Sequence, residues 1–230
     1  RICMNTPEQV NASARQDRKN FFAANVFAVG YATHGLFPYR GKFHPQMIKA
    51  MINIMGLSSG DLVLDPMAGC GTTAIEASIM VINSIVNELN PFACLMTRAK
   101  IGVLDTDTTN FPALLKNADA VFQRFAPYQA TLHELRRLFD VDSAPDMPDL
   151  NLMFPKLLQP MRELLLLCFL DSVGYAARRK RKTPRDLFPD LLSRYLAAVK
   201  AFNDIRPQLG LELGTCKILQ GNARRLDIPD

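Results

Sequence analysis

Residues 62–91, LVLDPMAGCGTTAIEASIMVINSIVNELNP, constrain this chain more than any other stretch. Leu62, Val63 and Leu64 make a short apolar run that stops at Asp65. Pro66 and glycines at 69 and 71 follow, and an apolar helical pattern starts behind Thr72 and Thr73. That order is strand, tight glycine-bearing loop, helix: the opening half of a doubly wound α/β unit, in which a ligand sits at the carboxyl end of the strand. Glycine lets a backbone approach a ligand closely, and such a loop aims peptide N–H groups and a helix N-terminus at it. One helix and one strand later Glu88 stands just ahead of Asn90-Pro91. A carboxylate there is placed to accept hydrogen bonds from the two hydroxyls of an adenosine ribose. Loop and carboxylate together point to a nucleoside-type ligand. A structural strand–turn–helix with Asp65 capping the helix is the plainer alternative. The glycines give G-x-G without the third glycine of a dinucleotide fold, and no Gly-Lys-Ser/Thr follows, which argues against a phosphate-gripping loop.

Around this unit the pattern is uneven. Pro45 suits the first turn of a helix, and Met47, Ile48, Met51, Ile52 and Met55 recur at helical spacing ahead of Gly56. A methionine stripe at that spacing reads as core rather than as a cofactor box. Glu76 reads as a solvated helix residue in preference to a partner for the loop's N–H groups. Val81–Asn87 alternates apolar and polar pairs, unlike the unbroken apolar run of a central parallel strand; the residues that end it argue for a strand all the same. Phe92, Leu95, Met96 and Ala99 then recur as a helical face.

From 101 to 210 the sequence reads helix after helix: Pro112–Phe125, a repeat over Leu132–Phe139, a turn-rich break at Asp140–Leu150, then Phe154–Arg179 and Asp190–Arg206. From the end of the first of these last two come Arg178, Arg179, Lys180, Arg181, Lys182 and Arg185, six positive charges in eight residues. Such a run neutralises phosphates without reading a base sequence, or else it is a solvated loop. Cys216–Gln220 looks like a third strand, arriving at the turn Gly221–Leu226.

Asp65-Pro66-Met67-Ala68-Gly69-Cys70-Gly71-Thr72-Thr73 resembles the D-P-F-x-G-x-G-T-T loop of amino-group DNA methyltransferases, which bind S-adenosyl-L-methionine. Glu88-Leu89-Asn90-Pro91 resembles the acidic-x-Asn-Pro that ends their second strand. His34–Pro45 (HGLFPYRGKFHP) is similar to the cofactor segment that precedes the loop in one permuted class. Gly221–Leu226 resembles their G-D-A-x-x-L turn, with Asn222 where the family has an acid. Two further departures are Arg40-Gly41 in place of an alanine and Asn83-Ser84 in place of a glycine bend.

The resemblance implies a class I methyltransferase fold: a doubly wound, mostly parallel sheet with a large helical insertion. Residues 1–100 are then a cofactor-binding α/β half with an entry segment, 101–210 the helical insertion, and 211–230 the return to the sheet. It implies methyl transfer from S-adenosyl-L-methionine to an exocyclic amino nitrogen, cytosine N4 or adenine N6, of double-stranded DNA in a restriction–modification or related system. The implied cofactor residues are Tyr39, Lys42, Phe43, Asp65, Pro66, Ala68, Gly69, Gly71, Thr72, Thr73, Glu88, Leu89, Asn90, Asn222 and Ala223. Phe43 offers a face to adenine or to the methionine portion, and Lys42 a charge to its carboxylate. The family's catalytic Asp/Asn/Ser-Pro-Pro-aromatic is absent, since no Pro-Pro pair occurs. With Arg at position 1, we expect a longer gene product that carries this motif and the rest of the sheet beyond residue 230; no residue of this chain is assigned a catalytic role. An RNA methyltransferase of the transfer-RNA guanine-N2 type, or a binding protein without chemistry, are the rival readings.

Composition fits these classes. The net charge of +5 and pI of about 9.0 favour a polyanionic partner. Five cysteines, at 3, 70, 94, 168 and 216, form no C-x-x-C pair, and an odd count argues against a disulfide framework. Histidines at 34, 44 and 133 make no zinc set. The most apolar run, Leu164–Leu170, is closed by Arg162 and Asp171, well short of a membrane span. We expect a cytoplasmic protein with no metal.

Overall fold

A computed structural model describes residues 31–129, 159–178 and 182–226. Three parallel strands, β1 (Leu62–Asp65), β2 (Asn83–Glu88) and β3 (Cys216–Gln220), form a sheet in the order β1-β2-β3. Leu62 pairs with Asn83 and Asp65 with Val86, while Ser84 pairs with Cys216 and Glu88 with Gln220. The carboxyl ends of all three strands therefore lie along one edge. α1 (Pro45–Ile54) precedes β1, and α2 (Thr72–Ile79) joins β1 to β2. α3 (Pro91–Gly102), α4 (Phe111–Lys116), α5 (Ala118–Phe125), α6 (Gln159–Arg178) and α7 (Pro184–Gln208) lie between β2 and β3. The fold is mixed α/β with a parallel sheet and many helices.

The polar residues that make β2 look irregular tie the sheet together. At its start, Asn83 Oδ1 accepts from the Thr215 N–H at 3.0 Å and the Thr215 hydroxyl at 2.8 Å, while Nδ2 donates to the Gly60 carbonyl at 3.0 Å. The entries to β1 and β3 are thereby bracketed onto β2. Near its other end, Asn87 Nδ2 donates to the carbonyls of Pro66 and Gly221 at 3.1 and 3.0 Å, joining the loops that leave β1 and β3. Apart from the Thr215 hydroxyl, the partners named here are backbone groups, and for the buried Asn87 they satisfy an amide that would otherwise be costly to bury.

Two expectations about helix faces are corrected. In α1 the buried residues are Pro45, Ile48, Lys49 and Ile52, and the methionine stripe faces solvent, with Met47, Met51 and Met55 exposed by 41, 49 and 55 %. Isoleucine, not methionine, packs α1 against the core. In α2 all eight residues are buried, Glu76 among them at 0 % exposure, so it is not a solvated residue. Nor does Asp65 cap α2. Its Oδ1 accepts from the Met67 N–H at 3.1 Å, stabilising the turn after β1, and α2 starts instead at Gly71 in the left-handed region, φ 82°.

Helix limits in the 101–210 block also shift. The pattern from Pro112 to Phe125 breaks at Asn117, whose backbone leaves helical values (φ −104°, ψ 22°) and whose Nδ2 donates to the Ala113 carbonyl at 2.8 Å, so α4 and α5 are separate. α7 begins at Pro184, not Asp190, because Thr183 and Asp186 form a capping box, and the helix continues through Pro189. The expected repeat over Leu132–Phe139, the break at Asp140–Leu150 and the expected start at Phe154 lie outside the described residues.

One apolar core runs through this block into α3. It includes Ala93, Leu95, Met96 and Ala99 of α3, Leu164–Leu170 of α6, and Phe188, Leu192 and Leu196 of α7. Phe122 sits 5.5 Å from both Phe169 and Phe188, as aromatic rings in cores commonly do. Among the described residues no helix is long and apolar enough to cross a membrane.

A charged pair joins α3 to α6: Arg98 Nε donates to Glu163 Oε1 at 2.9 Å, with the Glu163 side chain 6 % exposed. Burial pushes the Glu163 carboxyl above its usual value, against the downward pull of Arg98. The folded protein thus holds this proton more tightly than the unfolded chain does. Its contribution to stability is full below the ordinary glutamate value and declines as pH rises through the raised folded value. Glu163→Gln is expected to remove that decline, read as a flatter Tm-against-pH curve for the variant than for the parent in that window.

Candidate functional site

The loop between β1 and α2 is built around Gly69. Its φ is +55°, a conformation in which side chains are strained, and its N–H donates to Glu88 Oε2 at 2.8 Å. The other carboxylate oxygen, Oε1, accepts from the Asn90 N–H at 2.8 Å. Asn90 Oδ1 in turn accepts from the Phe92 N–H at 2.9 Å and caps α3, with Pro91 in the first turn. Glu88 therefore locks the first loop to the start of the next helix while each of its oxygens keeps a lone pair for a further donor. Beside it, the Ala68 N–H donates to the Asn87 carbonyl at 2.9 Å.

Tyr39 comes to the same place from the segment ahead of β1. A Cβ built on Gly69 would lie 3.5 Å from Tyr39 Cε1, so any side chain there fills the gap between loop and ring. Burial, followed by the charge of Glu88, raises the Tyr39 phenol above its usual value. Gly71 serves helix packing instead: a Cβ there would lie 2.7 Å from Thr97 Cγ2. Beneath the loop, Lys100 is 1 % exposed and donates to the Cys70 carbonyl at 3.4 Å; burial lowers its pKa.

Residues 36–133, which contain this loop and carboxylate, match the family model described as "RMKL-like, methyltransferase domain". Type II methyltransferase M.MjaII of Methanocaldococcus jannaschii is 39 % identical over 72 residues, 31 % of this chain and 13 % of that protein. Type II methyltransferase M.BsoBI of Geobacillus stearothermophilus is 37 % identical over 60 residues, 26 % of this chain and 12 % of that protein. Residues 36–133 are thus similar to an amino-methyltransferase family. A third relative, the tRNA (guanine(10)-N2)-dimethyltransferase of Methanothermobacter thermautotrophicus, is 41 % identical over 44 residues, 19 % of this chain and 13 % of that protein. The chain spans about one eighth of the length of the curated relatives it matches, 12 to 13 %.

In the structure the sequence-derived residues separate into groups. Tyr39, Gly69, Glu88 and Asn90 meet at the carboxyl edge of the sheet, with Pro66 and Ala68 held beside them by Asn87. Phe43 and Leu89 are exposed by 53 and 67 %. Lys42 is held back: Nζ donates to the His34 carbonyl at 3.0 Å. Thr72 and Thr73 are buried in the first turn of α2, and Asp65 serves its own turn. Asn222 is exposed after β3, and its Oδ1 accepts from the Arg224 N–H at 3.0 Å, with Ala223 half-buried beside it.

The basic run is divided by α6 and α7. Arg178 ends α6, Arg179, Lys180 and Arg181 lie outside the described residues, and Lys182 stands exposed, 3.9 Å from Asp190. Arg185, in the first turn of α7, makes a two-pronged contact with Asp119 at 2.6 and 2.8 Å, which holds the aspartate below its usual pKa. Among the described residues no group of three or more His, Cys, Asp or Glu side chains comes together to hold a metal ion.

The sequence reading missed the placement of two buried residues next to this loop, Asn87 and Glu76. Both carried a signal. Asn87 is an amide directly before the key carboxylate, in a strand that otherwise alternates, and Glu76 is the only charge in a helix of small and branched residues.

Proposed function

We propose that this protein transfers a methyl group from S-adenosyl-L-methionine to an exocyclic amino nitrogen of double-stranded DNA, cytosine N4 or adenine N6, in a restriction–modification or related system. The observation that carries the cofactor assignment is the meeting of Tyr39, Gly69 and Glu88, a side-chain-free peptide between an aromatic ring and a carboxylate. The donor set fits the cofactor's nucleoside: Glu88 accepts from the two ribose hydroxyls, and Leu89 and Phe92 present apolar surface beside it. Phe43 and Lys42, on the segment ahead of the loop, face the methionine portion. Asn222 accepts from the adenine amino group, a neutral contact where the family's acid gives a charged one. When bound, S-adenosyl-L-methionine supplies a methyl group already activated by its sulfonium, so the chain's task is alignment and electrostatics.

We place the methyl-accepting half on a further strand along the outer edge of β1, giving the doubly wound sheet of class I methyltransferases. Three points support this. β1 is an edge strand among the described residues, its Leu62 and Leu64 are exposed by 59 and 45 %, and apolar parallel strands are ordinarily covered. The catalytic Pro-Pro-aromatic motif belongs on that strand. Arg178–Lys182 are assigned to the DNA backbone, with Arg185 sharing its charge with Asp119. A cytoplasmic location accords with these substrates.

The transfer-RNA guanine-N2 reading is favoured by one relative's name, and a single assay separates the two. Full-length protein supplied with labelled S-adenosyl-L-methionine is expected to label duplex DNA and not transfer RNA. Labelling of transfer RNA alone reverses the substrate assignment. Absence of cofactor binding in calorimetry removes the reading altogether.

A further inference from the structure

We infer that Glu76 is a positioning residue for the cofactor, acting through His34 to hold Lys42 in place and to set Tyr39 over the glycine loop. The inference rests on the cofactor reading above and concerns a group outside the proposed contact surface. Glu76 lies in α2, little more than a turn beyond Gly71, and is fully buried. Its Oε1 accepts from the Tyr31 hydroxyl and meets His34 Nε2 at 2.7 Å; its Oε2 stands 3.4 Å from Lys49 Nζ. Tyr31 and His34 stack edge to face at 5.0 Å, and Lys49 Nζ lies 5.0 Å over the Tyr31 ring. All three partners come from the 31–49 segment, so one carboxylate gathers the segment that precedes the loop onto the helix that follows it.

Packing alone does not account for a carboxylate here. The rest of α2 is small, branched or hydroxyl-bearing, and a buried ion costs more than an apolar group of its size unless it is paired. What the carboxylate adds is direction. It only accepts, so His34 Nε2 carries the proton and the ring is fixed in one tautomer and orientation. The carbonyl of that same His34 then accepts from Lys42 Nζ at 3.0 Å. Turn bonds from the Tyr31 and Thr33 carbonyls hold the backbone around it, and five residues after His34 comes Tyr39, whose ring stands over Gly69. A path therefore runs from the loop's own helix through Glu76 and His34 to Lys42, which the His34 carbonyl holds, and along the backbone to Tyr39, which stands over the loop.

Calorimetric affinities of the full-length protein for S-adenosyl-L-methionine test this. Glu76→Gln is expected to weaken binding about tenfold, and the same change made in a Lys42→Ala background about threefold or less, because coupled residues are non-additive. Equal losses in both backgrounds, or a lowered Tm with unchanged affinity, overturn the inference and leave Glu76 a structural ion pair. Should Glu76→Gln fail to fold, His34→Gln removes the same contact from the other side and must show the same loss and the same dependence on Lys42. A parent protein that binds no cofactor overturns the cofactor reading itself, an outcome distinct from a binding parent with an indifferent Glu76 variant.

Discussion

Gly214→Ala is expected to lower stability by about 3 kcal/mol or more, a magnitude at the upper end of overpacking in a tight interior. A Cβ on Gly214 would lie 2.0 Å from the carbonyl oxygen of Ile82 and 2.5 Å from its carbon, both backbone atoms that no rotamer change can move. The glycine also donates from its N–H to the Ser78 carbonyl at 2.9 Å and accepts from the Ser78 hydroxyl at 2.9 Å. It is thus pressed between the end of α2 and the approach to β2 just where the chain returns to lay down β3. Moving it by an ångström disturbs the register of Ser84 with Cys216 and hence the turn after β3 that Asn87 holds. For a chain of this size the loss corresponds to a fall in Tm of roughly 6–12 °C.

A second glycine supplies the control. Gly174 lies inside α6 and has nothing within 4 Å of a built Cβ. There the same substitution is expected to raise stability by about 0.5–1 kcal/mol, through helix propensity alone. Opposite signs for one chemical change, read by thermal melts, separate contact from conformational freedom. A Gly214→Ala protein that melts with the parent refutes the close approach of Gly214, ahead of β3, to Ile82, ahead of β2.

Local sequence carried the strand–loop–helix at 62–79 and the carboxylate at 88 because both depend on near neighbours: an apolar run, a proline, glycines and a cap. β3 was legible for the same reason. Side chains that reach far along the chain were not. Glu76 meets partners 27 to 45 residues away, and its burial depends on His34, Tyr31 and Lys49 arriving together. Asn87 bonds a carbonyl 134 residues downstream. The methionines of α1 misled because helical periodicity marks a face without saying whether anything covers it. Asn117 and the Thr183–Asp186 box moved helix limits through single side-chain hydrogen bonds, which periodicity averages away.

Glu88→Gln is expected to weaken S-adenosyl-L-methionine binding by about 30- to 1,000-fold, the equivalent of about 2–4 kcal/mol. The carboxylate receives the Gly69 N–H on one oxygen and the Asn90 N–H on the other, both at 2.8 Å. An amide of the same shape has a single acceptor, so one of those two donors must face an NH₂, and a donor left unsatisfied costs about 1–3 kcal/mol. Loss of the charged acceptor for the ribose hydroxyls adds a contribution of similar size. The two parts are separable. A cofactor analogue lacking the ribose hydroxyls should bind the parent protein more weakly than the natural cofactor does, and Glu88→Gln should shrink that preference. If the variant weakens both ligands equally, Glu88 only shapes the loop. If its calorimetric titration matches the parent's, the carboxylate does not belong to the cofactor site, and the assignment of Gly69, whose N–H it holds, fails with it.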